Sequence, residues 1–168
     1  ANGTDAVQLV RDPLVNAYVA WSPDSRSIAL TNEVDGLPHL SIVPVDGRAP
    51  IAIDLGDVVP TDLAWRPPLG GDLLIRGVKK VTDKGRLFQT IDFYLVRADG
   101  TGLRALGLPS HARFGLQWDN SGPAWSLDGS TIAYNVVEEA AVPQGGHFRV
   151  HLVNADGTGD HALPGPKD

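Results

Sequence analysis

Cationic side chains concentrate in one short stretch of an otherwise acidic chain, which carries a formal net charge of −6. The stretch has Asp83 as its only acidic member and contains Arg76, Lys79, Lys80, Lys84 and Arg86. A basic loop on an acidic protein steers an acidic partner or a phospholipid surface, whereas the simpler interpretation is a solvated hairpin tip. We predict that Lys79, Lys80, Lys84 and Arg86 contact a partner.

A second candidate binding element combines aromatic and charged residues in the segment 108–122. Trp118 lies beside Asp119 and Asn120, and Arg113 and Phe114 precede it. Loops of this composition frequently carry binding residues, while the alternative is a loop that packs over its own sheet. We predict Arg113 and Trp118 as further partner contacts.

No motif for catalysis or for a cofactor is present. The chain lacks cysteine and has neither a Gly-x-Ser-x-Gly nucleophile turn nor a Gly-x-x-x-x-Gly-Lys phosphate loop. His147 and His151 would be about 13 Å apart on a strand, too far to share one metal ion. Glu138 and Glu139 are adjacent in a predicted loop, where a solvated tip is the simpler interpretation. We therefore expect no catalytic residue, no metal and no cofactor.

Composition bounds the fold class. The chain has 168 residues, 42 % of them hydrophobic, with 19 Gly and 13 Pro lying between short apolar runs. This balance predicts one turn-rich, all-β globular unit. No apolar run reaches the length of a membrane span, and the acidic balance argues against general nucleic-acid binding. Because the sequence has no Met and no signal peptide, we expect a processed or excised chain.

The strongest pattern is an internal repeat, and it defines the elements that position these candidates. Each copy starts with Ala-Trp, continues into a short apolar run, and ends with a second apolar run that reaches a turn. The three starts are Ala20-Trp21-Ser22-Pro23-Asp24, Ala64-Trp65-Arg66-Pro67-Pro68 and Ala124-Trp125-Ser126-Leu127-Asp128. The corresponding turns contain Asp46-Gly47, Asp99-Gly100 and Asp156-Gly157.

Each repeat predicts four short antiparallel strands, the first of which ends at the Trp. We expect Trp21, Trp65 and Trp125 to fill the space between neighbouring sheets rather than to stack on a carbohydrate. The Ser-Pro-Asp sequence of the first repeat favours a turn. In the third repeat Gly129 ends the equivalent turn and supplies a positive φ, and the first repeat has Ser25 at that position. Asp-Gly predicts a hairpin, because both residues tolerate the positive φ of a type I′ turn.

The repeats define a single propeller segment over 1–168. We predict the last turn and strand of a preceding blade at 1–10, and three blades at 17–54, 62–106 and 122–163. The Trp21–Trp65 spacing is 44 residues and the Trp65–Trp125 spacing is 60. Insertions at Lys79–Gln89 and Leu108–Gly122 account for the excess, and a shorter insertion lies at Glu138–Gly146.

Ala-Trp-Ser-Pro-Asp followed by Ile-Ala, and Asn-Ala-Asp-Gly-Thr-Gly followed by Leu, resemble the repeat of the TolB-like (WD40-like, PD40) β-propellers. The resemblance covers nearly the whole chain, although the second repeat lacks the Asp of its first turn. It implies a non-catalytic protein-binding or scaffold module of the bacterial cell envelope, periplasmic or extracellular. The same repeats resemble the gating propeller of serine peptidases of the prolyl-oligopeptidase type, and extracytoplasmic sensor domains.

Three blades form an incomplete ring, since propellers usually close with four to eight. Open sheet faces favour association. We therefore expect the segment either to belong to a larger propeller or to pair as a homodimer that completes a six-bladed ring.

Overall fold

The computed structural model describes residues 8–9, 18–34, 37–83, 86–108, 122–138 and 147–164. These residues form three antiparallel sheets of four strands each, and they contain no helix. The sheets follow one another along the chain and do not close a ring. The all-β architecture and the four-stranded blades predicted from the repeats are confirmed.

Each sheet is built from consecutive strands that pair in chain order. The first sheet contains β1 (Val19–Trp21), β2 (Ser27–Val34), β3 (Leu37–Pro44) and β4 (Ile51–Ile53). The second contains β5 (Val58–Trp65), β6 (Asp72–Asp83), β7 (Arg86–Arg97) and β8 (Arg104–Ala105). The third contains β9 (Ala124–Trp125), β10 (Thr131–Glu138), β11 (His147–Asn154) and β12 (His161–Ala162).

Two apolar cores hold the three sheets together. We call the face of a sheet that carries its Trp the leading face, and the opposite face the trailing face. In the first core the trailing face of sheet one packs on the leading face of sheet two, and includes Leu40, Ile42, Trp65, Leu73 and Ile75. In the second core the trailing face of sheet two packs on the leading face of sheet three, and includes Leu74, Phe93, Leu95, Ile132 and Val153.

The Trp of each repeat ends the first strand, as predicted, and two of the three lie between sheets. Trp65 is 8 % exposed, and its indole Nε1–H donates to the carbonyl oxygen of Ala20 at 2.9 Å. Trp125 is partly buried and donates to the carbonyl oxygen of Ala64 at 3.4 Å. For Trp21 the core prediction is wrong, since 58 % of it is exposed: it lies on the leading face of the first sheet.

In the first and third repeats, the side chains of the Ser-x-Asp turn after the Trp close that turn. Ser22 Oγ–H donates to Asp24 Oδ1 at 2.7 Å, and the Ser27 N–H donates to Ser22 Oγ at 2.9 Å. Ser126 Oγ–H donates to Asp128 Oδ1 at 2.6 Å in the third repeat. That bond, with two more from Ser130, lowers the pKa of Asp128 to about 2.

Positive φ falls where the sequence predicts it, but the Asp-Gly turn is not type I′. Gly129 and Ser25 have φ of 68° and 59°, and the glycines of the Asp-Gly turns that end each repeat, Gly47, Gly100 and Gly157, also have positive φ. Asp46 is not among the described residues of positive φ. Instead its Oδ1 accepts the N–H of Arg48 at 3.2 Å, so the Asp side chain bonds the backbone two residues ahead.

The second repeat closes its first hairpin without the missing Asp. A cis peptide bond joins Pro67 to Pro68, and Gly70, at φ 68°, donates its N–H to the carbonyl oxygen of Arg66 at 3.0 Å. The Arg66 N–H donates to the carbonyl oxygen of Asp72 at 2.9 Å. The hairpin is therefore present, with a different turn.

Candidate functional site

The insertion predicted at Lys79–Gln89 extends a strand pair. The strands β6 and β7 are each 12 residues long, whereas β2, β3, β10 and β11 are each eight. Their pairing continues without a register break from Asp72 opposite Arg97 to Asp83 opposite Arg86. The β6–β7 hairpin therefore extends four residues per strand beyond the length found in the other sheets.

Lys79 and Lys80 lie on this hairpin and differ in their surroundings. Lys79 Nζ pairs with Asp57 Oδ1 at 2.8 Å, and this contact raises the pKa of Lys79 and lowers the pKa of Asp57. Lys80 is exposed and lies opposite Gln89. Because successive side chains of a strand alternate in direction, the two lysines lie on opposite faces and do not form one patch.

Of the other predicted contacts, only Arg86 lies within the described residues. Arg86 begins β7 opposite Asp83, and nothing further is described of its side chain. Lys84, Arg113 and Trp118 lie outside the described residues, as do most of the insertions 108–122 and 138–146. Their assignment as partner contacts stays a prediction.

A largely buried polar cluster lies in the third repeat against the second sheet, and no sequence motif predicted it. Tyr134 Oη–H donates to Asp160 Oδ1 at 2.6 Å, and His151 Nδ1 lies 3.1 Å from the same oxygen. The side chains of His151 and Asp160 are only 12 % and 16 % exposed. Phe93 of the neighbouring sheet packs edge-on against the Tyr134 ring at 5.3 Å between centroids.

The electrostatics of this cluster favour a neutral tyrosine. Burial and then the bond to Asp160 raise the pKa of Tyr134 above its ordinary value. Burial also raises the pKa of Asp92, which accepts the N–H of Phe93 at 2.7 Å. Tyr134 and His151 face each other from β10 and β11, while Asp160 follows the Asp-Gly turn, so the cluster ties that turn to the core. The signal in the sequence was His151 on the face of β11 that also carries the buried Val153.

A shallow cleft of about 380 Å³ lies where the turns of the second and third repeats meet. It is lined by Arg66, Arg104, Ser130, Asn154, Ala155 and Asp156. The Arg66 Nε–H donates to the carbonyl oxygen of Gly129 at 2.9 Å, and Arg104 Nη2 donates to that of Ala155 at 3.2 Å. Both guanidinium groups thus bridge the two sheets.

Within the described ranges, no three His, Asp or Glu residues come together in a way that would hold a metal ion. The same part of the chain contains no helix of the length and hydropathy needed to cross a membrane. Among the described residues, the groups best suited to binding or to proton exchange are the cluster around Asp160 and the lysines of β6.

Comparison with known proteins identifies the architecture. A protein assigned as TolB from Agrobacterium tumefaciens superposes with a TM-score of 0.61 at 17 % identity, over 90 % of this chain and 50 % of its own. TolB from Acinetobacter baumannii gives 0.61 at 14 % identity, over 95 % and 34 %. The chain has the fold of a TolB-like β-propeller segment. No family model matches it, and neither does any curated sequence.

Other propellers extend the likeness beyond TolB. A chain of a nidogen/laminin complex superposes with a TM-score of 0.58 at 16 % identity, over 88 % of this segment and 47 % of its own length. The tricorn protease gives 0.53 at 10 % identity, over 82 % and 13 %. The segment therefore spans half or less of the solved chains it resembles, and identities this low establish the fold alone.

Proposed function

We propose that the chain is a non-catalytic protein-binding or scaffold module of a bacterial cell envelope, and that the β6–β7 hairpin contacts an acidic protein partner. The observation that carries the proposal is the length of this hairpin. Projecting loops on a rigid β scaffold are the usual place for binding residues. The resemblance to TolB-like propellers supports the envelope setting, periplasmic or extracellular, and the nidogen/laminin match is to a propeller solved in a complex.

The charge on the hairpin supports an acidic partner. Asp57 neutralises Lys79, so Lys80 is the exposed cation of this pair on β6. Lys84 and Arg86 follow at the tip in sequence and, by this proposal, extend the positive potential away from a chain of net charge −6. Arg113 and Trp118 contribute from the 108–122 insertion.

Site-specific photo-crosslinking tests the hairpin as the contact. A photoreactive residue at Gln89, which is exposed opposite Lys80, would capture a partner from a bacterial envelope fraction. The matched control is the same residue at Leu127, which is 92 % exposed in a turn of the third repeat. We expect an adduct from position 89 that weakens between about 0.05 M and 0.5 M salt, since the Debye length falls well below 10 Å over that range.

Removing the lysines provides the second arm. In the Lys80→Ala, Lys84→Ala double variant, the adduct at position 89 should decrease several-fold. Equal adducts from positions 89 and 127, or an adduct insensitive to both salt and the lysines, would contradict the proposed contact.

A second candidate is the gating propeller of a serine peptidase of the prolyl-oligopeptidase type, favoured by the likeness to the tricorn protease. The described residues would then form a wall that controls access to a catalytic domain elsewhere in the protein. A gene that continues downstream into a Gly-x-Ser-x-Gly region would favour this candidate over the binding module.

A further inference from the structure

The leading face of the first sheet is partly exposed, whereas the equivalent faces of the second and third sheets are buried against a neighbouring sheet. Register places Trp21 opposite Ile28 and Trp65 opposite Leu73, so the two Trp residues are equivalent. Trp21 is 58 % exposed, as is Val19 two residues earlier, whereas Trp65 is 8 % exposed. The exposure is concentrated on β1, the strand that would pack on a preceding blade.

The trailing face of the third sheet shows the complementary exposure. Val150 and Leu163 are 40 % and 38 % exposed. Their equivalents on the first sheet, Leu40 and Ile53, form a cross-strand pair and are almost fully buried against the second sheet. The two ends of the segment therefore carry the two halves of the same sheet-to-sheet contact.

A directional hydrogen bond recurs within that contact. In the second and third repeats the Trp Nε1–H donates to the carbonyl oxygen of the Ala that precedes the Trp of the previous repeat: Trp65 donates to Ala20 and Trp125 to Ala64. The described part of the chain gives Trp21 no such acceptor. Ala124, the last member of the Ala series, is exposed, whereas Ala20 and Ala64 pack in the two cores.

We propose that the segment pairs with a second copy of itself, head to tail, to close a six-bladed ring. The leading face of each copy packs on the trailing face of the other, and Trp21 Nε1 donates to the carbonyl oxygen of the second copy's Ala124. Two identical heterologous contacts related by a two-fold axis close the ring. This inference does not rest on the proposed binding role.

Light scattering across a concentration series, with the 168-residue chain, measures the pairing. We expect a species of twice the 17.8 kDa chain mass. Trp21→Ala should raise the dissociation constant about a thousandfold, because a buried Trp anchor is worth about 30-fold and each dimer contains two. Trp21→Phe, which keeps the ring but loses the donor, should raise it only about tenfold.

A mixing experiment tests the head-to-tail geometry. Trp21→Ala damages the leading face and Val150→Arg the trailing face, so each variant alone should be monomeric. Mixed, they should form a dimer, because a heterodimer pairs one intact leading face with one intact trailing face. The control is Leu127→Arg, which adds the same charge at an exposed turn and should pair normally. Circular dichroism establishes that each variant is folded.

Three outcomes would overturn the proposal. The first is a wild-type chain of 17.8 kDa at every concentration, which would leave the open faces to other blades. The second is a dimer that folded Trp21→Ala leaves unweakened. The third is two monomeric variants that do not combine, which would mean that like faces pair.

Discussion

Arg66 is predicted to join the second and third repeats, and its removal measures that contact. Its Nε–H donates to the Gly129 carbonyl oxygen at 2.9 Å, its Nη1 lies 3.2 Å from Asp72 Oδ2, and its Cζ lies 5.3 Å from the centre of the Trp125 ring. Because the side chain is 36 % exposed, each contact takes the lower end of its usual range. Arg66→Ala should lower the free energy of unfolding by about 2 kcal/mol, most of it from the charged hydrogen bond.

Urea unfolding of three variants separates the geometry of the guanidinium from its charge. Arg66→Lys keeps the charge but loses the planar group that bonds Gly129 and stacks on Trp125, so we expect it to recover about half of the loss. Arg48→Ala is the control: Arg48 pairs with Asp46 within one turn and is 74 % exposed, so its removal should leave the free energy of unfolding almost unchanged.

A double-mutant cycle with Trp125→Phe tests whether the effect crosses between sheets. The two substitutions should couple by at least about 0.5 kcal/mol, since they remove partners of one contact. An Arg66→Ala variant no less stable than Arg48→Ala, or strict additivity with Trp125→Phe, would refute the assignment of Arg66 as a link between the repeats.

Two further predictions concern the described cores. Gly157→Ala should lower the melting temperature more than Gly47→Ala. Both glycines have positive φ, but the new Cβ at 157 would lie 2.7 Å from the Leu106 carbonyl oxygen, whereas a Cβ at 47 would have no atom within 4 Å beyond its chain neighbours. Equal losses would contradict close packing there. Tyr134→Phe should lose about 1 kcal/mol at neutral pH and flatten the alkaline decline. The pKa of Tyr134 is higher in the folded protein than in the unfolded chain, where it is about 10. The free energy of unfolding is therefore unaffected below about pH 10, and above it falls by up to about 1.4 kcal/mol per pH unit as the unfolded chain ionises first. Wild type and variant declining equally would contradict this.

The repeat pattern was sufficient to predict the sheets, because its signals are local. A Trp that ends one strand and an Asp-Gly that follows another each act within a few residues, and the predicted positive φ of Gly129 is found at 68°. The prediction of a type I′ turn was wrong, although it too concerned only neighbouring residues. The Asp46 carboxylate accepts the Arg48 N–H, and the Asp-Gly dipeptide alone does not indicate this bond.

The contacts between repeats could not be predicted, because they join residues far apart in sequence. Arg66 meets Gly129 across 63 positions, and Arg104 meets Ala155 across 51. Arg66 replaces the Ser that closes the equivalent turn in the other two repeats, which in sequence is only a lost signal. In the structure the replacement has a function: the long side chain leaves its own turn, which the prolines and Gly70 close instead, and bonds the turn of the next repeat. The departure at Arg66 is thus explained by a contact with the neighbouring blade. Trp21 keeps the residue type of the repeat although its ring is exposed, and this indicates that another blade packs on that face.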